Sequence, residues 1–245
     1  MSLNARLDPK SPLPLYYQLK EILRDAIVSG VWKPGDLVPS EHQLQADYAV
    51  SRNTAKKAIE ELVQEGILTR TQGKGTFVAA PKLEQALTGF YSFSNAMLSR
   101  GITPRVKVIS LKESAAKTTV ARALDIQPGD PVTELMRVRY ADQEPIMLET
   151  SYVPTALAPG LAAKDFEESA LYSVLSSDYG LLVSRAKEIF EPVLIRDYES
   201  QWLGVEAGYP ALLLDRIAYT AAGKPVEFCR SIVRGDRCRF YTELL

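Results

Sequence analysis

The apolar positions of this chain change period twice, and the changes divide it. Leu15, Tyr16, Leu19, Ile22, Leu23, Ala26 and Ile27 recur at helical spacing and predict a helix that ends at Gly30. After a Pro34-Gly35 turn, Leu44 and Tyr48 lie four apart and give one apolar face to a short helix. Ser40 can cap that helix, with Gln43 at the third position where a capping box needs it. Ala49-Val50 leaves room only for a turn. Ser51 caps a further helix whose stripe is Ala55, Ala58, Ile59, Leu62 and Val63, and which Gly66 stops. The period then shortens. Residues 67–71 and 76–78 are β-type runs joined by Gln72-Gly73-Lys74-Gly75, where two glycines permit the positive φ of a tight turn. Two close-set helices, a supporting helix and a hairpin form a complete small unit over residues 12–80. Ala79-Ala80-Pro81-Lys82 reads as a linker.

From Leu83 onward the pattern is different. A helix is expected at about 95–99, closed by Gly101. Strands are expected over 105–111, 132–140, 146–153, 182–194, 211–220, 226–233 and 237–244, with short helices over 118–124, 168–177 and 198–203. An internal repeat runs through this region. Ala123-Leu124-Asp125-Ile126, Gly129-Asp130-Pro131, Arg137-Val138-Arg139-Tyr140 and Glu144-Pro145-Ile146 parallel Trp202-Leu203-Gly204-Val205, Gly208-Tyr209-Pro210, Arg216-Ile217-Ala218-Tyr219 and Lys224-Pro225-Val226. The offset is 79 residues before the hairpin turn and 80 after it. Two helix–hairpin copies predict one antiparallel sheet with approximate two-fold symmetry.

Strand alternation then assigns faces. With Tyr140 opposite Ile146, Arg139 faces Met147 and Arg137 faces Glu149. The second copy puts Arg216, Ala218, Glu227 and Cys229 on the matching face, and Asp215 opposite Arg230 on the other. Arginines grip phosphate or carboxylate in a fork, and glutamates accept from hydroxyls, so that face can hold an anion bearing hydroxyls. A plain cross-strand salt bridge would use the same residues. Ser92 and Ser94, before the helix at 95–99, offer a second anion-friendly feature; simple N-capping explains them equally well.

Charge placement gives the first unit its function. Arg52, Asn53, Lys56 and Lys57 project from the first two turns of their helix, and Glu60, Glu61 and Glu65 follow. The helix dipole favours the reverse order by about 0.3–1 kcal/mol per charge. A helix whose N-terminal end enters a major groove has reason to accept that cost. Arg70 and Lys74 add positive charge at the hairpin.

Composition alone argues against nucleic acid. The net charge is -1 and the pI about 6.0, so the case rests on where the charges sit. The length of 245 residues and the 46% hydrophobic content allow two real cores. Cys229 and Cys238, without a signal-like N-terminus, fit a reduced cytoplasmic protein. No apolar run reaches membrane-spanning length. A single histidine, His42, rules out a multi-histidine metal site, and no nucleophile–base pair is evident. Neither metal nor cofactor is expected.

Pro39-Ser40-Glu41, Val50-Ser51-Arg52-Asn53-Thr54, Ala58-Ile59, Leu62, Gly66 and Gln72-Gly73-Lys74-Gly75-Thr76-Phe77-Val78 resemble the winged helix-turn-helix of GntR-type bacterial transcription regulators. The resemblance implies double-stranded DNA as partner, met through Ser40, Glu41, His42, Ser51, Arg52, Asn53, Thr54, Lys56, Arg70, Gly73 and Lys74. His42 departs from an arginine common in the family. Residues 83–245 resemble the UTRA effector domain of the HutC branch, similar in fold to chorismate lyase. The match rests on Leu87-Thr88, Phe93, Arg100-Gly101, Arg137-x-Arg139, Glu144-Pro145, Glu149, Leu171-Tyr172, Pro225-Val226-Glu227, Arg234-Gly235-Asp236 and Phe240. It implies an effector site of Tyr91, Ser92, Phe93, Ser94, Arg137, Arg139, Glu149, Tyr172 and Glu227, with phosphate at the serine turn. Ala170 and Val233 stand where relatives offer serine and tyrosine. The expectation is an α+β regulator: a winged helix-turn-helix domain at 12–80 and an antiparallel-sheet UTRA domain at 83–245. It would act as a homodimeric repressor on a palindromic operator, released by a sugar phosphate. The competing readings are a lyase-like enzyme fused to a winged helix and a winged helix used only for protein contacts.

Overall fold

The computed structural model describes residues 6–71, 73–87, 97–98 and 101–243. The chain divides into two compact units, Met1–Lys82 and Leu83–Leu245.

In the first unit, helix α1 spans Leu15–Val28, α2 Glu41–Tyr48 and α3 Arg52–Gln64. The capping box of α2 is complete: Gln43 N–H donates to Ser40 Oγ at 3.2 Å, and the Gln43 side chain accepts from Ser40 N–H at 2.8 Å. The left-handed residue ending α2 is Ala49 (φ 53°), and Ser51 Oγ then caps α3 by accepting from Thr54 N–H at 3.1 Å. Strands β1 (Leu68–Thr71) and β2 (Gly75–Val78) pair antiparallel from Leu68↔Val78 to Thr71↔Gly75. Gly75 takes φ 124°, a backbone conformation that would strain any side chain, while an added Cβ would meet only the movable end of the exposed Leu37. The core joins Leu19 and Leu23 of α1 to Leu44, Ala55, Ile59, Leu62, Leu68 and Val78. Lys20 is buried beside it and donates to Glu61 at 2.8 Å and Glu65 at 3.2 Å, while Arg24 pairs with Glu65. The late acids of α3 therefore have an internal use, as counter-ions of α1.

In the second unit, β3 (Leu83–Ala86) is followed by β4 (Pro104–Ala115), α4 (Thr118–Leu124), β5 (Pro131–Ala141) and β6 (Glu144–Pro154). A 3-10 turn at Leu161–Ala163 precedes α5 (Leu171–Tyr179), β7 (Val183–Leu194), α6 (Asp197–Leu203), β8 (Pro210–Thr220), β9 (Pro225–Arg234) and β10 (Cys238–Tyr241). The main sheet is antiparallel in the order β4-β5-β6-β9-β8-β7, symmetric about the β6–β9 pair, as the repeat predicts. Alternation sorts its faces. Met136, Val138 and Leu148 pack with Ile195 and Leu203 around α6, and Val132 and Phe228 pack on α4. Leu135 and Val153 turn the other way, onto Phe166, Leu171 and Leu175 around α5.

Several expectations are corrected. Tyr140 pairs with Pro145 rather than Ile146, across a bulge, while Arg139↔Met147 and Arg137↔Glu149 hold. Pro145 has no N–H to give the ladder, so the register slips beside it. Helix α5 starts at Leu171, not near 168. Glu167 N–H instead donates to Asp165 at 2.8 Å, and its carboxylate accepts from Val108 N–H at 3.3 Å, so these residues form a loop. The last strand is only Cys238–Tyr241, and it pairs parallel with β3, a strand whose four residues carry too little pattern to read. The expected helix at 95–99 lies outside the described residues except for Met97 and Leu98.

Candidate functional sites

The first site is the exposed end of α3 with the wing. Capping by Ser51 sets where α3 begins, and so places Arg52 and Asn53 in its first turn, both exposed. Lys56 is exposed and lies 3.5 Å from Glu60 one turn on, a weak surface pair. Lys57 is exposed as well, and its ammonium sits 3.7 Å over the Tyr16 ring of α1. Ser51 Oγ and Thr54 Oγ1 bond each other at 2.9 Å, so both contribute to the cap before any ligand arrives. His42, Gly73 and Lys74 are exposed. Glu41 and Arg70, expected separately at the DNA, are brought together instead: Arg70 donates to Glu41 at 2.7 Å, tying the wing to the start of α2.

The second site is a cavity of about 790 Å³ on the α5 face of the sheet, within the usual range for a small-molecule pocket. Arg137, Arg139, Glu149, Tyr172 and Glu227 all line it. Tyr91, Ser92, Phe93 and Ser94 lie outside the described residues. Glu149, opposite Arg137 in register, pairs with Arg137 through one oxygen and accepts from Arg139 Nε at 2.7 Å through the other. Burial opposes its charge, but Arg137, Arg139 and the more distant Arg216 prevail and hold its carboxyl at about 2. Tyr172 on α5 donates to Glu227 at 2.5 Å, and burial together with that carboxylate pushes the phenol well above its ordinary value.

The cavity also contains residues absent from the expected site. Arg216 lines it and donates through Nε to Glu188 of β7 at 2.6 Å. Cys229, Ser151 and Ser231 form part of the floor. Burial, with Glu149 and Glu227 nearby, pushes the Cys229 thiol up to about 12, so it is a protonated wall group. The repeat already placed Arg216 and Cys229 on this face, and two-residue alternation from Glu149 and Cys229 reaches Ser151 and Ser231. Nothing in the pattern of β7 marked Glu188. Ala170 lines the mouth at the N-cap of α5 and gives no side-chain cap, whereas Val233 is fully buried in the core and does not line the cavity.

Among the described residues, no acid, cysteine and histidine cluster could hold a metal, and no helix is long and apolar enough to cross a membrane.

Comparison with known proteins bears on both units. Residues 15–78 match the model of bacterial regulatory proteins of the gntR family, and residues 99–239 match the UTRA domain. The chain is 36% identical over 234 residues to the HTH-type transcriptional repressor NagR of Bacillus subtilis, covering 96% of each chain. It is 36% identical over 217 residues to the histidine utilization repressor of Pseudomonas aeruginosa, covering 86% of each. Among solved structures, PhnF from Mycobacterium smegmatis superposes with a TM-score of 0.66 at 29% identity, covering 95% of this chain and 99% of that one. The helix-turn-helix with its wing, the symmetric sheet and these matches agree: the chain belongs to the GntR family of bacterial regulatory proteins, HutC branch, as a DNA-binding transcriptional repressor with a UTRA effector domain rather than an enzyme.

Proposed function

We propose that this repressor acts in the cytoplasm as a homodimer on a palindromic operator and is released by a small phosphorylated effector, a sugar phosphate or related polyol phosphate. The observation that carries the reading is the cavity, where Arg137, Arg139, Glu149, Tyr172 and Glu227 converge from two strand pairs and a helix. Hydroxyls suit Glu227 and the cavity serines. The anion suits Arg139 and the first turn of α5, whose leading N–H groups have no side-chain cap. Tyr91, Ser92, Phe93 and Ser94, outside the described residues, keep their proposed part in holding the phosphate. DNA is met by Arg52, Asn53, Lys56 and Lys74, with Arg70 held in the wing. Pairing of two half-sites supplies the affinity that one winged domain lacks.

Linkage requires effector and operator to oppose each other equally, typically by about 1–3 kcal/mol. The test is operator titration with and without a panel of sugar phosphates, in wild type and in Arg139→Gln. Arg137 is less suitable for substitution, because its removal leaves Glu149 short of a buried partner. The variant is expected to bind operator as wild type does and to ignore effector up to at least tenfold higher concentration. An unchanged response would overturn the pocket assignment. Sedimentation as a dimer and a two-fold symmetric footprint are the expected accompaniments.

A further inference from the structure

Three side-chain contacts fix the direction of α1 against α3. Tyr16 meets Lys57, Lys20 meets Glu61 and Arg24 meets Glu65, and in each pair the partner stands 41 residues further on. The two helices therefore run parallel and in step. Their N-terminal ends lie side by side, so the segment that leads into α1 stands next to the turn of α3 that carries Arg52 and Asn53.

That segment, residues 6–14, is fastened rather than frayed. Chain ends stay ordered only where something ties them down. Here Leu7 is half-buried against the core of the first unit. The Gln18 side chain of α1 accepts from Asp8 N–H at 2.9 Å and donates to the Asp8 carbonyl at 3.0 Å and the Leu13 carbonyl at 2.7 Å. Within the loop so held, Asp8 Oδ1 accepts from Lys10 N–H at 2.9 Å and the Asp8 carbonyl from Ser11 N–H at 3.2 Å. Pro9, Pro12 and Pro14 narrow the backbone further. The loop carries two cations, Arg6 and Lys10, both exposed and neither with an ion pair among the described residues. Its single acid, Asp8, spends one oxygen on the turn. Closing the core needs Leu7 and the Gln18 bonds; it has no use for the two cations.

We infer that residues 6–14 form a further DNA-binding element, a fastened arm whose Arg6 and Lys10 each meet a backbone phosphate beside the groove that α3 enters. Gln18 is the positioning residue: it touches no DNA and holds the arm in the shape that meets it. Because these are contacts to phosphate, they add affinity without reading sequence. The inference rests on the proposed entry of the first turns of α3 into the groove, and extends the footprint from α3 and the wing to the chain before α1.

The test is the salt dependence of binding by the full chain to a short labelled duplex of arbitrary sequence, read by fluorescence anisotropy over a range of KCl. Arg6→Gln and Lys10→Gln are each expected to lower the slope of log affinity against log salt by about 0.9, the value of one phosphate contact. Lys33→Gln makes the same charge change at an exposed site beyond the far end of α1 and is expected to leave the slope as it is. Gln18→Ala keeps both cations but frees the arm, so it is expected to weaken binding severalfold at an unchanged slope, the cost of ordering a loose segment on DNA. Slopes unchanged in both arm variants would overturn the arm, as would an equal fall in Lys33→Gln, which would mark an effect of net charge alone. Wild-type affinity in Gln18→Ala would overturn the positioning role. Arg52→Ala on the same duplex separates this inference from its premise: weakened binding there with silent arm variants leaves α3 in the groove without the arm, and silence in all of them overturns both.

Discussion

The cationic residues of α3 and those of the cavity differ in who answers their charge. Arg52 and Lys56 stand in water at the end of a helix, with at most a weak surface pair, and the counter-ions proposed for them are phosphates of DNA. Arg137 and Arg139 lie on the cavity face of the sheet, buried and half-buried, where they are already paired with Glu149. Exposed charge costs the fold little and leaves the binding strength to the ligand. Buried charge must be matched before any ligand arrives, so under the proposed function the same groups serve stability and recognition together. Substitution should therefore separate the two functions in the first unit and entangle them in the second.

The largest expected effect tests the entangled side. Glu149→Gln leaves two guanidiniums facing one another without a carboxylate. Breaking a buried ion pair from one side costs about 3–5 kcal/mol, which urea unfolding of the full chain would read as an early transition of the second unit. The pH dependence has a definite sign. The Glu149 carboxyl is held at about 2 in the fold against an ordinary 4.5, so its contribution is complete above pH 4.5 and fades as pH falls toward 2. The variant should lose that acid-dependent component. Equal stability of variant and wild type at neutral pH would show that the pair is not tightly matched.

How far these charges could be read from sequence follows the same division. The faces of β5, β6, β8 and β9 were legible, because a two-residue period and a repeat of 79 and 80 residues fix alternation without any contact being known. The asymmetry between the copies was not. Arg137 and Arg216 are equivalent in the repeat, yet one finds its carboxylate on the inner strand β6 and the other on the edge strand β7. An edge strand has a single neighbour, and its register depends on the loops that deliver it, which no local pattern encodes. Likewise, the α2 and α3 boundaries follow from Ser40, Gln43 and Ser51, whose capping is local. The Arg70–Glu41 contact spans 29 residues and appears only once the wing is folded back.

On the exposed side, Arg52→Ala should leave unfolding unchanged within about 0.5 kcal/mol and cost about 1–3 kcal/mol of operator affinity if the guanidinium forks onto a guanine. Operator mobility-shift titration beside a melting curve separates the two quantities. A large loss of stability would place Arg52 in the fold and erase its contrast with Arg137.

Lys56→Ala should have a smaller and different effect. A lysine that meets only phosphate weakens specific and non-specific DNA alike and lowers the slope of log affinity against log salt by about 0.9. Loss confined to operator sequence would instead make Lys56 a reader of bases.

The smallest effect concerns Glu41, where the two regimes meet on one surface. The Arg70–Glu41 pair is partly exposed, with side chains 43% and 26% accessible, so its contribution to stability is at most about 1 kcal/mol. For DNA it matters more, because a guanidinium tied to a carboxylate presents almost no net charge to a phosphate. Glu41→Gln removes the acid and releases Arg70. Non-specific affinity is then expected to rise, and the salt slope to steepen by up to about 0.9, the value of one more phosphate contact. Discrimination for the operator is expected to fall, since the wing loses the contact that fixes it against α2 and an additional contact to phosphate carries no sequence information. Measuring the salt dependence on operator and on random duplex, in wild type and Glu41→Gln, yields both numbers. A slope that does not change would mean that Arg70 stays clear of the backbone even when free, and that its pairing with Glu41 belongs to the architecture of the wing alone.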